Sequence, residues 1–291
     1  MSGFHTITEM IAYADENHMP LHAVVIENEV TISQRREKDI LHEMAAQWEV
    51  MKSSIRYGIE NEKKSISGLT GGDAKKLYTG KGTGYLGEAA HRAAAYAVGI
   101  NEVSASMGRV VACPTAGSCG IVPAALYAAA ETKQIDDETI VKALFTAAGI
   151  GMIIAQNASI SGAEGGCQAE CGTAAGMAAA SLVELAGGTP EMSGNACALA
   201  IKNLLGLACD PVAGLVEVPC VKRNGFIAVE AMLAADMALM GVRSFIPVDE
   251  VIDAMYRIGK SLPKTLRETA KGGLATTPTA LAAAKMIYGE A

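Results

Sequence analysis

The chain has 291 residues, half of them hydrophobic, a net charge of −7 and no long block of lysine or arginine. That acidic balance argues against nucleic acid or an anionic membrane surface as the main partner and leaves a small molecule. The apolar content comes from Ala, Leu, Ile, Val and Met, with only four Phe and one Trp, which favours a closely packed helical core over a β-sandwich.

The first residues, "MSGFHTITEMIAYADENHMP", carry acids and no apolar core segment, so no signal peptide is expected and the cytoplasm is the default location. Two amphipathic helices are predicted over 6–17 and 33–57, with "MPLHAVVIENE" between them. Residues 1–60 read as a helical scaffold or docking segment, and 61–291 as the main domain or its continuation. "SISGLTGGDAKKLYTGKGTGYLG" is the most glycine-dense loop. Gly82, Gly84 and Gly87 have dinucleotide-type spacing, but "DAKKLYT" before them is not a hydrophobic strand. A Walker loop fails because Gly82 follows Lys81.

Helix returns with "EAAHRAAAYAVGINEV", and after Pro114 the pattern is helix after helix, with scarce strand signals and no βα rhythm. The expectation is a mainly α, multi-helix domain. The uncharged run from Ala143 loses its apolar character near Ala155, too short for a bilayer span and suited to a buried helix.

Seven cysteines, all between Cys113 and Cys220, point to reduced thiols, metal ligation or redox chemistry rather than a disulfide framework. In "GAEGGCQAECGTAAGMAAA", Cys167 and Cys171 lie one helical turn apart and share a face if the helix has begun. A metal would suit that face, and so would tight packing of Gly, Ala and Cys. Cys209 precedes Asp-Pro and Cys220 follows Pro, so both fall at helix breaks where a thiolate can turn toward a shared centre. Cys197 lies inside a helical pattern, where packing explains it.

In "PTAGSCG", Thr115, Gly117, Ser118 and Gly120 lead into a helix whose free N–H groups would hold a carboxylate or phosphate, or form an ordinary capped turn. Cys113 and Cys119 flank it. His5, His18, His22, His42 and His91 all precede the cysteine region, and none has zinc-finger spacing. No lysine sits in a Schiff-base context.

"SASMGRVVACPTAGSCG", "GCQAECGTAAGMAAA" and "CDPVAGLVEVPCVKRN" resemble the α-chain of the two-chain, iron-sulfur-dependent L-serine dehydratases, over a stretch running from about Ser65 to "ATTPTA". The resemblance implies a 4Fe-4S cluster on Cys167, Cys209 and Cys220, with Cys171 outside the ligand set. Three ligands leave one iron open as a Lewis acid for the serine hydroxyl. It also implies conversion of L-serine to pyruvate and ammonia without pyridoxal phosphate, in an oligomer with a β-chain carrying an ACT-type module. The ending "KMIYGEA" lacks the C-terminal cysteine that occupies the open iron in single-chain relatives.

For this reaction Ser104, Ser106, Thr115 and Ser118 are the hydroxyls expected to orient the serine carboxylate, and "SGLTGG" is expected to form another wall. The general base is not identified by the sequence. Three other readings stand beside this one: elimination from another β-substituted amino acid such as cysteine, a zinc-thiolate or redox-sensing protein, and a helical interaction subunit with incidental thiols.

Overall fold

The structure, a computed structural model, describes residues 3–80 and 84–289; Lys81 and Gly82 of the dinucleotide-like loop lie outside them. Three helices, not two, build the first sixty residues: α1 (Ile7–Glu16), α2 (Leu21–Ser33) and α3 (Glu37–Glu60). Thr6 opens α1 with a capping box, its hydroxyl accepting the Glu9 N–H at 3.0 Å while the Glu9 carboxylate accepts the Thr6 N–H at 3.1 Å.

The stretch expected to separate two helices is the body of α2. Its β-branched Val24, Val25 and Ile26 weaken its intrinsic helix signal. Burial supplies what propensity lacks: Leu21, Val24 and Val25 pack into the core, and a Cβ on Gly149 would sit 2.4 Å from a Val25 methyl. Gln34, left-handed at φ 57°, then ends α2, so α3 starts at Glu37 rather than at 33.

Next come α4 (Asp73–Thr79), α5 (Glu88–Ala105), α6 (Ile121–Lys133) and α7 (Asp137–Asn157). By length and composition α7 is apolar enough to cross a membrane, but 67% of its apolar window is buried within the protein. Its start is tied to α3, since Trp48 Nε1 and Lys52 Nζ donate to the two Asp137 carboxylate oxygens at 2.7 and 2.5 Å.

The single-turn α8 (Gly162–Gly165) and a π-type turn at Gln168–Gly172 lead into α9 (Thr173–Leu185). Every residue of α9 from Thr173 to Val183 is buried. Its Ala, Gly and Ser content explains this, because small side chains let α6, α7, α10 and α11 approach it from several sides. Glu184 near its end accepts from His22 Nδ1 at 2.7 Å and from Thr146 Oγ1 at 3.0 Å, joining α2, α7 and α9.

α10 (Pro190–Asn203), α11 (Cys220–Leu239), α12 (Val248–Ser261) and α13 (Pro278–Tyr288) complete the chain. One hydrophobic cluster runs from Ile7 on α1 to Met255 on α12, so the N-terminal helices share the main core. Among the described residues there is no strand, only an isolated parallel bridge between Cys209 and Arg267. The mainly α, multi-helix architecture is the one the composition implied.

Candidate active site

The turn before α6 is held from outside. Asn224, one helical turn after Cys220, donates to the Gly117 carbonyl at 2.7 Å and to the Cys220 carbonyl at 2.9 Å. Its Oδ1 accepts the Gly120 N–H at 3.0 Å. One N–H read as a free anion donor is therefore already satisfied by a side chain, and the turn is locked to the segment bearing Cys220.

Within that turn, Thr115 Oγ1 lies 3.1 Å from Ser118 Oγ and donates to Glu170 Oε1 at 2.8 Å. Ser118 is fully buried and donates to the Cys113 carbonyl at 3.4 Å. Ser104 and Ser106 do not join this group. Ser106 Oγ is spent on the Val103 carbonyl at 3.1 Å, and Ser104, near the end of α5, hydrogen-bonds Cys119.

Three of the thiols converge. Cys167 Sγ lies 3.4 Å from Cys171 Sγ, and Cys209 hydrogen-bonds Cys167 as well. These hydrogen bonds, with Arg223 beside them, hold the Cys167 thiol well below the usual range, so of the three it is the one the surroundings favour as thiolate. Cys171 and Cys209 are pushed up, first by donating to Cys167 and then by burial. Cys220 opens α11, and burial, with the Cys167 charge second, pushes it up to about 12. Cys197 packs against Gly176, away from this group.

Arg223 Nη1 donates to the Ala208 carbonyl at 3.0 Å, and Nη2 lies 3.6 Å from Asp210 Oδ1. A crossing strap fixes the backbone around Cys209. Its N–H donates to the Leu266 carbonyl at 2.9 Å, its carbonyl accepts the Glu268 N–H at 2.8 Å, and Asp210 Oδ2 accepts the Leu274 N–H at 2.8 Å.

Glu170, midway through the π-type turn, faces both halves of the site. A Cβ on Gly117 would meet its Oε1 at 3.2 Å; one on Gly162 would meet its Oε2 at 2.7 Å and Cys209 Sγ at 3.0 Å. Burial, reinforced by the Cys167 charge and opposed by the Thr115 hydrogen bond, raises its carboxyl to about 7. The "SGLTGG" loop is fastened alongside, since Glu217 accepts from Ser67 Oγ at 2.9 and 2.8 Å and from Thr70 Oγ1 at 3.0 Å.

Sequence reasoning missed Glu170, Glu217, Arg223 and Asn224. The signal for Asn224 was its helical spacing from Cys220, which puts both on one face of α11. Glu170 stood between two cysteines and was masked by them.

Residues 16–275 match the family model described as the serine dehydratase alpha chain. The chain is 50% identical over 290 residues to a Bacillus subtilis protein named probable L-serine dehydratase, alpha chain, covering 99% of this chain and 96% of that one. It is 43% identical to the L-serine dehydratase alpha chain of Peptoniphilus asaccharolyticus, covering 94% and 95%. An L-serine dehydratase of Streptomyces coelicolor is 39% identical over 94% of this chain, but only 60% of that longer protein is covered. With a match of this extent the chain belongs to the serine dehydratase alpha chain family.

Proposed function

We propose that this chain is the α subunit of an L-serine dehydratase that eliminates water from L-serine to give pyruvate and ammonia. The observation that carries the reading is that Cys209, by hydrogen bond, and Cys220, close enough to feel its charge, gather around Cys167 beside the Thr115–Ser118 turn, with Cys171 packed behind. Sulfur donors drawn from separate chain segments suit an iron-sulfur cluster. Among the described residues no three Cys, His, Asp or Glu side chains group tightly enough for a single ion. Gly162 puts no side chain into the point that Cys209 Sγ and Glu170 both face, and Arg223 offsets thiolate charge; both features suit a 4Fe-4S group.

Cys167, Cys209 and Cys220 would hold that cluster, leaving Cys171 as a packed neighbour that donates to Cys167. When bound, the cluster supplies a Lewis-acidic iron that assists departure of the serine hydroxyl. Thr115 orients the substrate carboxylate from the turn before α6, with the buried Ser118 supporting it from behind, and the loop pinned by Glu217 closes the opposite wall. Ser104 and Ser106 support the end of α5. The relatives of matching length are named alpha chains and the Streptomyces protein is longer. We therefore assign this chain a separate β-chain partner with an ACT-type module, needed for full activity.

Anaerobic reconstitution with iron and sulfide, followed by absorption and low-temperature EPR with and without L-serine, tests the reading. A cluster signal that shifts with L-serine, and pyruvate formed from L-serine faster than from L-cysteine, supports it. Retention of zinc with no cluster, or preferred turnover of L-cysteine, overturns it.

A further inference from the structure

We propose that Glu170 is the catalytic base that removes the Cα proton of serine, an inference that rests on the dehydratase reading above. Elimination needs an acceptor with a free lone pair, reachable by substrate and placed between the group that holds the carboxylate and the thiols that hold the cofactor. Glu170 is partly buried, so not sealed from solvent, and it lies between these two groups. Its Oε1 is fixed by Thr115 at 2.8 Å. Its Oε2 receives no protein donor among the described residues, and it faces, across the bare Cα of Gly162, the same point as Cys209 Sγ.

Of the other nearby carboxylates, Glu268 is exposed to solvent and three are held by the protein. Glu217 takes the hydroxyls of Ser67 and Thr70. Glu102 takes the N–H groups of Gly72, Asp73 and Ala74 at the start of α4. Asp210 takes the Leu274 N–H and lies beside Arg223. Two of the histidines are held elsewhere, His22 on Glu184 and His91 on the Leu77 carbonyl.

In the step, the Glu170 carboxylate takes the Cα proton and the freed electron pair forms the Cα–Cβ double bond. The Cβ–O bond breaks, the hydroxide leaves and takes the proton from Glu170 to become water, which restores the carboxylate, and aminoacrylate remains. Tautomerisation and hydrolysis of aminoacrylate then consume one water and give pyruvate and ammonia, with no net oxidation.

The test compares wild type, Glu170→Gln and Glu170→Asp after anaerobic reconstitution. It reads iron content, the serine-induced EPR shift, pyruvate formation, and exchange of the Cα proton of L-alanine, which has no leaving group, into deuterium oxide. Glu170→Gln is expected to keep the cluster and the EPR shift while both pyruvate formation and exchange fall about 100- to 10,000-fold. Glu170→Asp is expected to recover part of each, and it decides the matter if the Gln variant fails to assemble.

Turnover of Glu170→Gln within a few-fold of wild type overturns the proposal. So does loss of the serine EPR shift with the cluster intact, which makes Glu170 a substrate-binding group. A wild-type chain that assembles no cluster and makes no pyruvate fails earlier, at the dehydratase reading itself.

Discussion

Asn224 and Gly117 are joined by a hydrogen bond of 2.7 Å across 107 positions of sequence. The same side chain reaches Gly120 and Cys220, so one amide sets the register between the turn before α6 and the first turn of α11. Both of its polar ends are buried and satisfied, an arrangement that punishes any change of donor into acceptor.

Replacing Asn224 by Asp keeps the acceptor for Gly120 but removes the donors to Gly117 and Cys220. The expected loss is about 2–4 kcal/mol in urea unfolding of the cofactor-free chain, from the unsatisfied Gly117 carbonyl and an inserted charge. A loss below about 0.5 kcal/mol would show that the turn does not depend on this amide.

Arg223 carries a different expectation, because it touches a proposed ligand sulfur rather than the fold alone. Its guanidinium hydrogen-bonds Cys167 and favours the thiolate there. Arg223→Gln should weaken retention of the reconstituted cofactor by about 10- to 100-fold, read as iron release to a chelator. Unchanged release kinetics would remove Arg223 from the supporting shell.

Glu217→Gln tests the wall formed by the "SGLTGG" loop. Glutamine loses one of the two carboxylate acceptors that bind Ser67 and Thr70. The expected outcome is faster amide exchange confined to residues 65–72 and a several-fold higher apparent KM for L-serine, with kcat less affected. Equal effects on exchange throughout the chain would mean a global loss of stability instead.

The helical class, the buried character of α7 and the three cysteine zones were legible because they rest on composition and local periodicity. α2 was not, since Val24, Val25 and Ile26 are poor helix formers whose conformation is decided by packing against α7. Thr115 and Ser118 stood out as hydroxyls at a helix start, whereas Ser104 and Ser106 looked equivalent in sequence but sit at the end of α5, their hydroxyls taken by Cys119 and the Val103 carbonyl. Glu170 and Glu217 acquire meaning only from partners 55 and 150 positions away. No local pattern encodes such pairings.

Gly162→Ala separates space from stability. The added Cβ would lie 2.7 Å from Glu170 Oε2 and 3.0 Å from Cys209 Sγ, so those side chains must shift. Because side-chain ends yield more readily than backbone, the folding cost should be only about 1 kcal/mol, while cofactor content or serine turnover falls at least about tenfold. A variant with wild-type loading and turnover would show that the bare Cα serves the backbone and not the site.

Glu230 on α11 gives a pH dependence independent of the active site. Burial raises its carboxyl to about 8, opposed only by Asn203, and its Oε2 is buried without a partner. Because the folded value lies above the unfolded one, the neutral form stabilises the fold fully below the ordinary carboxyl range. That contribution is lost as pH rises through about 8. Between pH 5 and 8 the wild type should therefore lose roughly 2–4 kcal/mol relative to Glu230→Gln, whose neutral amide has nothing to ionise. Urea unfolding of both proteins at several pH values checks this. A gap that widens with pH and levels off above 8 is the expected result, and a constant gap would assign Glu230 a packing role with no ionisation coupled to folding.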